Sequence, residues 1–324
     1  MTSNKNINTP ANMTKRIIFG ALILVVVVGF ILLRQISQNT VFLFDILIGF
    51  LMIAGSFEVE NLFNKMNRQV FSVTLGIYPV INFAIFIIAI LFKFSIIYYL
   101  LLNLFVILFI FLLDYVVALL NKKGTLTQMY LCGYEGDRFG FALEKSANTV
   151  LGMIYPTFLL MFVFLINHFS AFFNVVTFDV GFLGVVLLFA TTMCADTCAF
   201  LIGRTIKSKK ISLEKLGPGK TWSGLIGGII GAMIAAIVVW AIFANCGYGS
   251  IFASYKINAF SFILIGLFCG IFNMAGDVLS SFLKRKADIK DFSNLIPGHG
   301  GVMDRINGLV VNAVVVFICL IICF

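Results

Sequence analysis

The apolar run Ala259–Leu279, AFSFILIGLFCGIFNMAGDVL, determines the class of fold. It carries one ionisable residue, Asp277, and has about the 20 residues that an α-helix needs to cross ~30 Å of hydrocarbon. In lipid, the backbone N–H and C=O groups of such a segment are all paired only if it is helical. The run therefore predicts a membrane-spanning helix.

Similar runs recur along the whole chain. With 61% hydrophobic residues, 37 Phe and only 11% charged residues, the composition excludes an ordinary soluble domain. The other predicted spans are Ile17–Leu33, Val41–Ala54, Val70–Phe92, Phe94–Leu120, Thr149–Ile166, Val180–Ile202, Gly224–Ala244 and Leu309–Phe324. We expect an all-α polytopic membrane protein of nine helices, or of eight, because the short second run carries Asp45 and is compatible with a re-entrant segment.

The basic residues predict an orientation. With a cytoplasmic N-terminus and nine spans, only Arg34, Lys93 and Lys256 of the 23 Lys and Arg residues lie outside. This asymmetry favours N-in, C-out topology and places the loops 203–223 and 281–308 in the cytoplasm. We expect residues 1–145 to form an N-terminal membrane region, with a packing role or a dimer surface, and residues 146–324 to form the catalytic region.

A polar block follows the opening run, SSFLKRKADIKDFSNLIPGHGGVMDRING from Ser280 to Gly308. Just before and within it, Asn273, Asp277, Ser281 and Lys284 share one face of the predicted helix. Ionisable groups in a spanning segment cost about 2.5–3.5 kcal/mol each and so usually face a water-filled or ligand-filled interior. This block is the predicted site of chemistry.

The charges of the block suit a phosphate bound to Mg²⁺. Oxygen ligands hold the metal, and neighbouring cations neutralise the remaining phosphate charge. The acids are Asp277, Asp291 and Asp304, and the cations are Lys284, Arg285, Lys290 and Arg305. His299, in the turn PGHGG, is a candidate general acid or phosphate contact, or only a brace for the turn. The pattern indicates phosphoryl or nucleotidyl transfer, and the alternative is a solvated loop with ordinary salt bridges.

A second basic segment runs from Arg204 to Lys220. Positive-inside topology and attraction to anionic lipid explain the charge of this segment. They do not explain its end, where Lys220-Thr221 stands immediately before a predicted helix. This is not a P-loop, because Glu214 stands where that motif has glycine. A lysine with the free N–H groups of a helix start still predicts a phosphate contact. His168, in a predicted outward-facing loop with no acid or cysteine nearby, is given no role.

Three segments together resemble the phosphatidate cytidylyltransferases, also called CDP-diacylglycerol synthases. They are SFLKRKADIKDFSNLIPGHGGVMDRI from Ser281 to Ile306, CADTCAFLIGR from Cys194 to Arg204, and PGKTWSGLIGG from Pro218 to Gly228. Three motifs in the same order are much more specific than one. They cover about a third of the chain. Before Cys194 the chain resembles the family only in its hydropathy.

The resemblance implies that CTP and phosphatidate react to CDP-diacylglycerol and diphosphate, at the cytoplasmic membrane of a bacterium or in an organelle. It implies divalent-metal ligands at Asp277 and Asp304, with a third family acid replaced here by Asn307. Ser223 and Gly217 also depart from the family pattern, which has Glu and Ser there. Asp196 is a further metal-site residue or a partner for Arg204. Phosphate contacts are expected from Lys220, Thr221, Arg204, Arg285, Lys290, Ser281 and Arg305, and catalytic roles from Asp277, Asp304, Lys284, Asp291 and His299.

Other functional classes stay open at this point. A CTP-dependent lipid kinase would share a membrane site but transfer the γ-phosphoryl group, and a lipid-binding or transport protein would show no metal-dependent turnover. CDP-alcohol phosphotransferases are disfavoured because their acidic signature is absent. We expect Mg²⁺ as cofactor, with room for a second cation, and CTP, phosphatidate and membrane lipids as partners. A homodimer is compatible with the sequence, and no nucleic-acid partner is expected.

Overall fold

The structure is a computed structural model that describes residues 10–37, 40–173, 178–206, 208, 220–297 and 300–324, the side chains from residue 18 onward. Within these ranges the chain is helical and contains no β-strand. The helices are α1 Pro10–Leu33, α2 Val41–Lys65, α3 Ser72–Leu91, α4 Ile96–Leu120, α5 Lys122–Leu131, α6 Arg138–Gly152, α7 Leu159–Asn167, α8 Phe169–Phe173, α9 Val180–Thr205, α10 Trp222–Phe243, α11 Gly249–Ser254, α12 Ala259–Lys286 and α13 Met303–Cys323.

Eight helical stretches among the described residues are long and apolar enough to cross a membrane. They are Val41–Lys65, Ser72–Leu91, Ile96–Leu120, Arg138–Asn167, Val180–Thr205, Trp222–Ser254, Ala259–Lys286 and Met303–Cys323. The part of α1 from Ile18 to Leu33 is a shorter apolar helix. The predicted all-α polytopic membrane protein is confirmed, and its N-in, C-out orientation stays a prediction.

Helix α2 corrects the predicted end of the second span. The helix continues beyond Ala54 to Lys65 and is 25 residues long, so it has the length of a full membrane crossing. Glu58 and Glu60 interrupt the apolar run in the sequence, and the helix continues through both. Glu58 is nevertheless buried inside the helix bundle, and a buried carboxylate requires bonding partners.

The fifth predicted span begins earlier than Thr149. Helix α6 starts at Arg138, and a wider turn over Met153–Phe158 connects it to α7. The chain departs from helical geometry at Tyr155, with φ −114° and ψ 108°. Pro156 explains the break, because it has no backbone N–H and its ring excludes the preceding turn. This break places Tyr155 and Thr157 in the bundle interior.

A buried polar cluster joins the ends of α1, α2, α7 and α9. Asp45 Oδ1 accepts a hydrogen bond from Asn167 Nδ2 at 2.8 Å, and Asp45 Oδ2 lies 2.7 Å from His168 Nε2. Arg34 donates to Asn167 Oδ1 and to both carboxylate oxygens of Asp179. His168 therefore does have an acid beside it, and the prediction that it lacks one was wrong. The two residues are 123 positions apart in the sequence.

We expect Asp45→Ala to lower the free energy of unfolding by about 3 kcal/mol, because removing one partner of a buried polar pair leaves the others unsatisfied. Asp45 is fully buried, so water cannot replace its carboxylate without disrupting the packing. Thermal unfolding of the detergent-solubilised protein measures the effect. Ile46→Ala is the control, since Ile46 lies next to it but faces outward with 57% exposure. Equal midpoints for both variants would contradict the prediction.

Four helices, α9, α10, α12 and α13, form the part of the bundle that matters for function. Helix α10 packs against α9 on one side and α12 on the other, and α13 packs against α12 and α9. The buried face of α10 consists largely of glycine and alanine, which lets its neighbours approach closely. The end of α9 lies beside the start of α10, since a Cβ atom at Gly203 would lie 3.1 Å from Thr221 Oγ1. The end of α12 contacts the start of α13 through Lys284 and Asp304. The Asp45 cluster is at the opposite end of α9, where Asp179 is the N-cap.

Candidate active site

A cavity of about 500 Å³ lies where α9, α10, α12 and α13 meet. Three carboxylates and three cationic side chains line it, together with small residues of α9 and α10. The charged residues are Asp196 and Arg204 from α9, Lys220 immediately before α10, Asp277 from α12, and Asp304 and Arg305 from α13. The cavity is thus a polar site with balanced charge in an otherwise apolar bundle.

Lys220, Asp277 and Asn307 form one bonded group. The ammonium of Lys220 donates a hydrogen bond to Asp277 Oδ2, and Asn307 Nδ2 donates to Asp277 Oδ1 at 2.9 Å. The contact is possible because Gly276 lets α12 approach α13. A Cβ atom at Gly276 would lie 2.6 Å from the backbone oxygen of Asn307. The close packing of α12 on α13 at Gly276 therefore brings Asp277 and Asn307 into contact.

Asp304 is held from three sides at the start of α13. Its Oδ1 accepts a hydrogen bond from Lys284 Nζ at 2.7 Å. Its Oδ2 accepts from the backbone N–H groups of Phe292 and Gly301, each at 2.9 Å. Only 5% of the side chain is exposed. These bonds fix the carboxylate in one position and tie the loop before α13 to the helix start.

Asp196 occupies the α9 side of the cavity. Its Oδ1 accepts a hydrogen bond from Asn273 Nδ2 at 2.6 Å. Asp196 and Arg204 form no ion pair in the described structure, although both line the cavity. Asn273 belongs to the predicted polar face of α12 and contacts Asp196. Two other residues of that face make similar contacts, Asp277 with Lys220 and Lys284 with Asp304. The polar face of α12 therefore connects α9, α10 and α13.

The predicted phosphate contacts fall into two groups. Lys220, Thr221, Arg204 and Arg305 line the cavity. Thr221 is also the N-cap of α10, with its hydroxyl oxygen accepting from the N–H of Gly224 at 3.1 Å. Ser281, Arg285 and Lys290 do not line it, and the last two are exposed. Asp291, which was predicted to be catalytic, does not line the cavity either and is exposed. Lys284 acts on the site through Asp304. His299 lies outside the described residues, as does most of the loop 203–223.

The oxygen donors of the cavity are compatible with Mg²⁺. Carboxylates and amide oxygens are the ligands this metal uses, and Asp277, Asp304, Asp196 and Asn307 supply them. The described residues contain no group of three Asp, Glu, His or Cys side chains arranged to hold a metal ion. Asp277 and Asp304 each bind a lysine instead. A metal at this site would therefore have to compete with both ammonium groups.

Sequence reasoning missed Glu58, which belongs to α2. Its carboxylate accepts hydrogen bonds from the backbone N–H groups of Val302 and Met303, each at 2.8 Å. It also accepts one from the hydroxyl of Ser293 at 2.6 Å. The only sequence signal was an acidic residue beside a long apolar run. Nothing in the local sequence indicates a partner 245 positions away.

Ser223, which stands where the resembled family has Glu, braces the start of α10. Its hydroxyl donates to the backbone oxygen of Ile206 at 2.9 Å, and its backbone N–H donates to the Ser208 hydroxyl at 2.9 Å. The side chain is buried. At this position the chain therefore uses a neutral link between the end of α9 and the start of α10.

The sequence matches one family over nearly its whole length. The model of the cytidylyltransferase family covers residues 14–323. Among individual proteins, the uncharacterized protein YnbB of Escherichia coli K12 is 34% identical over 184 residues, which is 56% of this chain and 55% of YnbB. The phosphatidate cytidylyltransferase of Rickettsia conorii is 34% identical over 134 residues, covering 41% and 56% of the two chains.

A third relative is also a phosphatidate cytidylyltransferase. The phosphatidate cytidylyltransferase of Brucella suis is 33% identical over 138 residues, which is 43% of this chain and 47% of that protein. The chain thus spans about half the length of the curated relatives it matches. The resemblance stated from the three motifs is confirmed at the level of the family.

Proposed function

This chain belongs to the cytidylyltransferase family, and we propose that it transfers CMP from CTP to phosphatidate, giving CDP-diacylglycerol and diphosphate. The observation that carries the proposal is the pair Lys220–Asp277 in a cavity shared with Asp304. When the substrates bind, the lysine can pair with a phosphate and the carboxylate with the cation that accompanies it. The phosphatidate cytidylyltransferases among the relatives support the choice of substrates.

The proposed reaction needs charge neutralisation more than proton transfer. A phosphatidate oxygen is already anionic near neutral pH, so it attacks the α-phosphorus of CTP without a strong general base. A P–O bond forms to the lipid phosphate, the bond to diphosphate breaks, and diphosphate leaves with its electron pair. Lys220, Arg204 and Arg305 line the cavity and would neutralise the phosphate charge that accumulates in the transition state.

We further propose that Asp277 and Asp304 hold Mg²⁺, with Asn307 and Asp196 as weaker oxygen donors. When bound, the metal would neutralise phosphate oxygens as a Lewis acid. The lysines then have a second role, because Lys220 and Lys284 keep two buried or half-buried carboxylates paired until ligands arrive. Asn307 holds Asp277 in place by donating to Oδ1.

The membrane setting is part of the proposal. The relatives named phosphatidate cytidylyltransferase are bacterial. The cavity lies at the end of the bundle that carries Arg204, Lys220 and Lys284. Positive-inside topology would place that end in the cytoplasm, where CTP is found. We therefore propose a multi-pass protein of a bacterial cytoplasmic membrane with its active site facing the cytoplasm.

A single assay tests the function. The purified, detergent-solubilised protein is incubated with phosphatidate and α-³²P-labelled CTP, with and without Mg²⁺, and label is followed into the organic phase. Metal-dependent labelling of lipid is the expected result. Lipid labelled only from γ-³²P-labelled CTP would indicate a lipid kinase instead. No lipid labelling from either nucleotide, in folded protein, would contradict both enzymes and favour a lipid-binding protein.

Asn307→Asp should preserve or raise activity and lower the Mg²⁺ concentration for half-maximal rate. The substitution replaces the amide that donates to Asp277 with a second carboxylate. Two facing carboxylates repel each other without a cation and bind Mg²⁺ more strongly than one. Titration of activity with Mg²⁺ measures the change.

The control for this variant is Asn294→Asp, which makes the same chemical change at an exposed position of the preceding loop. It should leave the Mg²⁺ dependence as in the unchanged protein. A large loss of activity in Asn307→Asp at every Mg²⁺ concentration would show that the oxygen donors are arranged differently from this proposal.

A further inference from the structure

The structure contains one buried carboxylate that joins the N-terminal half of the chain to the candidate active site. Glu58 lies on α2 and is 4% exposed. Its three hydrogen bonds go to Ser293, Val302 and Met303, in the loop before α13 and at the helix start. A carboxylate in this environment is costly unless it is well bonded, and these bonds satisfy both of its oxygens.

Glu58 caps the start of α13, although it lies in a distant part of the chain. The first N–H groups of any helix have no partner within that helix. At α13, Glu58 Oε1 accepts from Val302 and Oε2 accepts from Met303. A negative charge at this end is also favoured by the helix dipole. The carboxylate therefore defines where α13 begins and how its first turn is oriented.

The first two turns of α13 carry three of the polar residues that line the cavity, Asp304, Arg305 and Asn307. Asp304 follows Met303 directly, and Asn307 lies one turn later, where it donates to Asp277. Asp304 Oδ2 accepts the N–H of Gly301, the residue just before the segment that Glu58 holds. A shift of the start of α13 would thus move Asp304 and Asn307 relative to Asp277.

Two glycines, Gly55 and Gly301, allow α2 to pack closely against the start of α13 near Glu58. A Cβ atom at Gly301 would lie 2.5 Å from Glu58 Oε2, so a larger residue there would displace the carboxylate. One turn before Glu58, a Cβ atom at Gly55 would lie 3.0 Å from Met303 Sδ. Helix α2 and the start of α13 are therefore in direct contact at both positions, and small residues on each side make that contact possible.

We propose that Glu58 is a positioning residue for the reaction: by anchoring Val302 and Met303, it sets the position of Asp304 and Asn307 in the active site. This inference rests on the proposed function for the reaction itself, whereas the anchoring of α13 can be measured without activity. It also gives the N-terminal region a part in the site beyond packing.

The test uses Glu58→Gln and Glu58→Ala in the full-length protein. The glutamine keeps the size of the side chain and one acceptor oxygen but replaces the other with an amide that cannot accept from a backbone N–H. We expect kcat to fall about 10-fold for Glu58→Gln and about 100-fold for Glu58→Ala, since a misplacement of about 1 Å can cost 100-fold. The KM for CTP should change less than about threefold, because the lysine contacts are unaltered.

Hydrogen exchange followed by mass spectrometry supplies a readout that does not depend on activity. Peptides that contain Val302 and Met303 should exchange faster in Glu58→Gln, and faster still in Glu58→Ala. Glu60→Gln is the matched control, because Glu60 is on the same helix, is partly exposed, and forms no ion pair with the described residues. It should resemble the unchanged protein in both measurements.

The outcomes are distinguishable. Faster exchange together with a lower kcat supports the inference. Unchanged exchange in Glu58→Gln, or a kcat per folded molecule within about twofold of the unchanged protein in Glu58→Ala, overturns it. If the unchanged protein has no cytidylyltransferase activity, the proposed function is wrong, and the exchange data still decide whether Glu58 anchors α13.

Discussion

Asp304→Asn should lower the rate of CMP transfer to phosphatidate by at least about 100-fold while the protein still folds and inserts. The asparagine keeps the shape of the side chain and one carbonyl oxygen, which can accept from the N–H of Phe292 or Gly301. It loses the charge that pairs with Lys284 and that would bind Mg²⁺. Loss of an outer partner of a metal ligand typically costs 10- to 100-fold, so loss of the ligand itself should cost at least about 100-fold.

Initial rates at saturating CTP and Mg²⁺, with folded protein quantified by size-exclusion chromatography, measure this loss. Asp288→Asn is the matched control, because it removes the same charge from an exposed residue in the same segment. The backbone of Asp288 has φ +52°, a conformation that asparagine also adopts readily. Rates near those of the unchanged protein in Asp304→Asn would show that this carboxylate has only the structural role its hydrogen bonds describe.

The membrane fold could be predicted because hydropathy is a local property. A run such as Ala259–Leu279 crosses the bilayer as a helix whatever its neighbours are. The error at α2 has the opposite cause. Glu58 looks like the end of a span when it is read locally, and it is tolerated inside the bundle only because Val302 and Met303 supply donors from the far end of the sequence.

The candidate site was predictable in part for the same reason. The spacing of Asn273, Asp277 and Lys284 placed them on one helix face, and the structure directs each toward a charged partner. The partners themselves could not be predicted from spacing, because they depend on how helices pack. Asp45 and His168 show this most clearly, since each appears isolated in the sequence and they form a buried contact.

The ammonium of Lys220 binds Asp277. Lys220→Ala should raise the apparent KM for CTP about 10- to 100-fold, because a hydrogen bond between charged groups contributes about 1.5–3 kcal/mol. Membrane insertion should be unchanged. Lys286→Ala is the control, as Lys286 is an exposed lysine at the same end of the bundle, with Nζ 5.9 Å from the Phe282 ring.

Two roles of Lys220 give different results in this experiment. If the lysine contacts a phosphate of CTP, the higher KM persists at saturating Mg²⁺, because the metal cannot replace the lost contact. If the lysine only neutralises Asp277, the freed carboxylate should bind Mg²⁺ more tightly, and the KM for CTP at saturating Mg²⁺ should be unchanged. Lys220→Arg keeps the charge and should recover part of the affinity in the first case. An unchanged KM in Lys220→Ala would therefore assign the residue to the carboxylate rather than to the nucleotide.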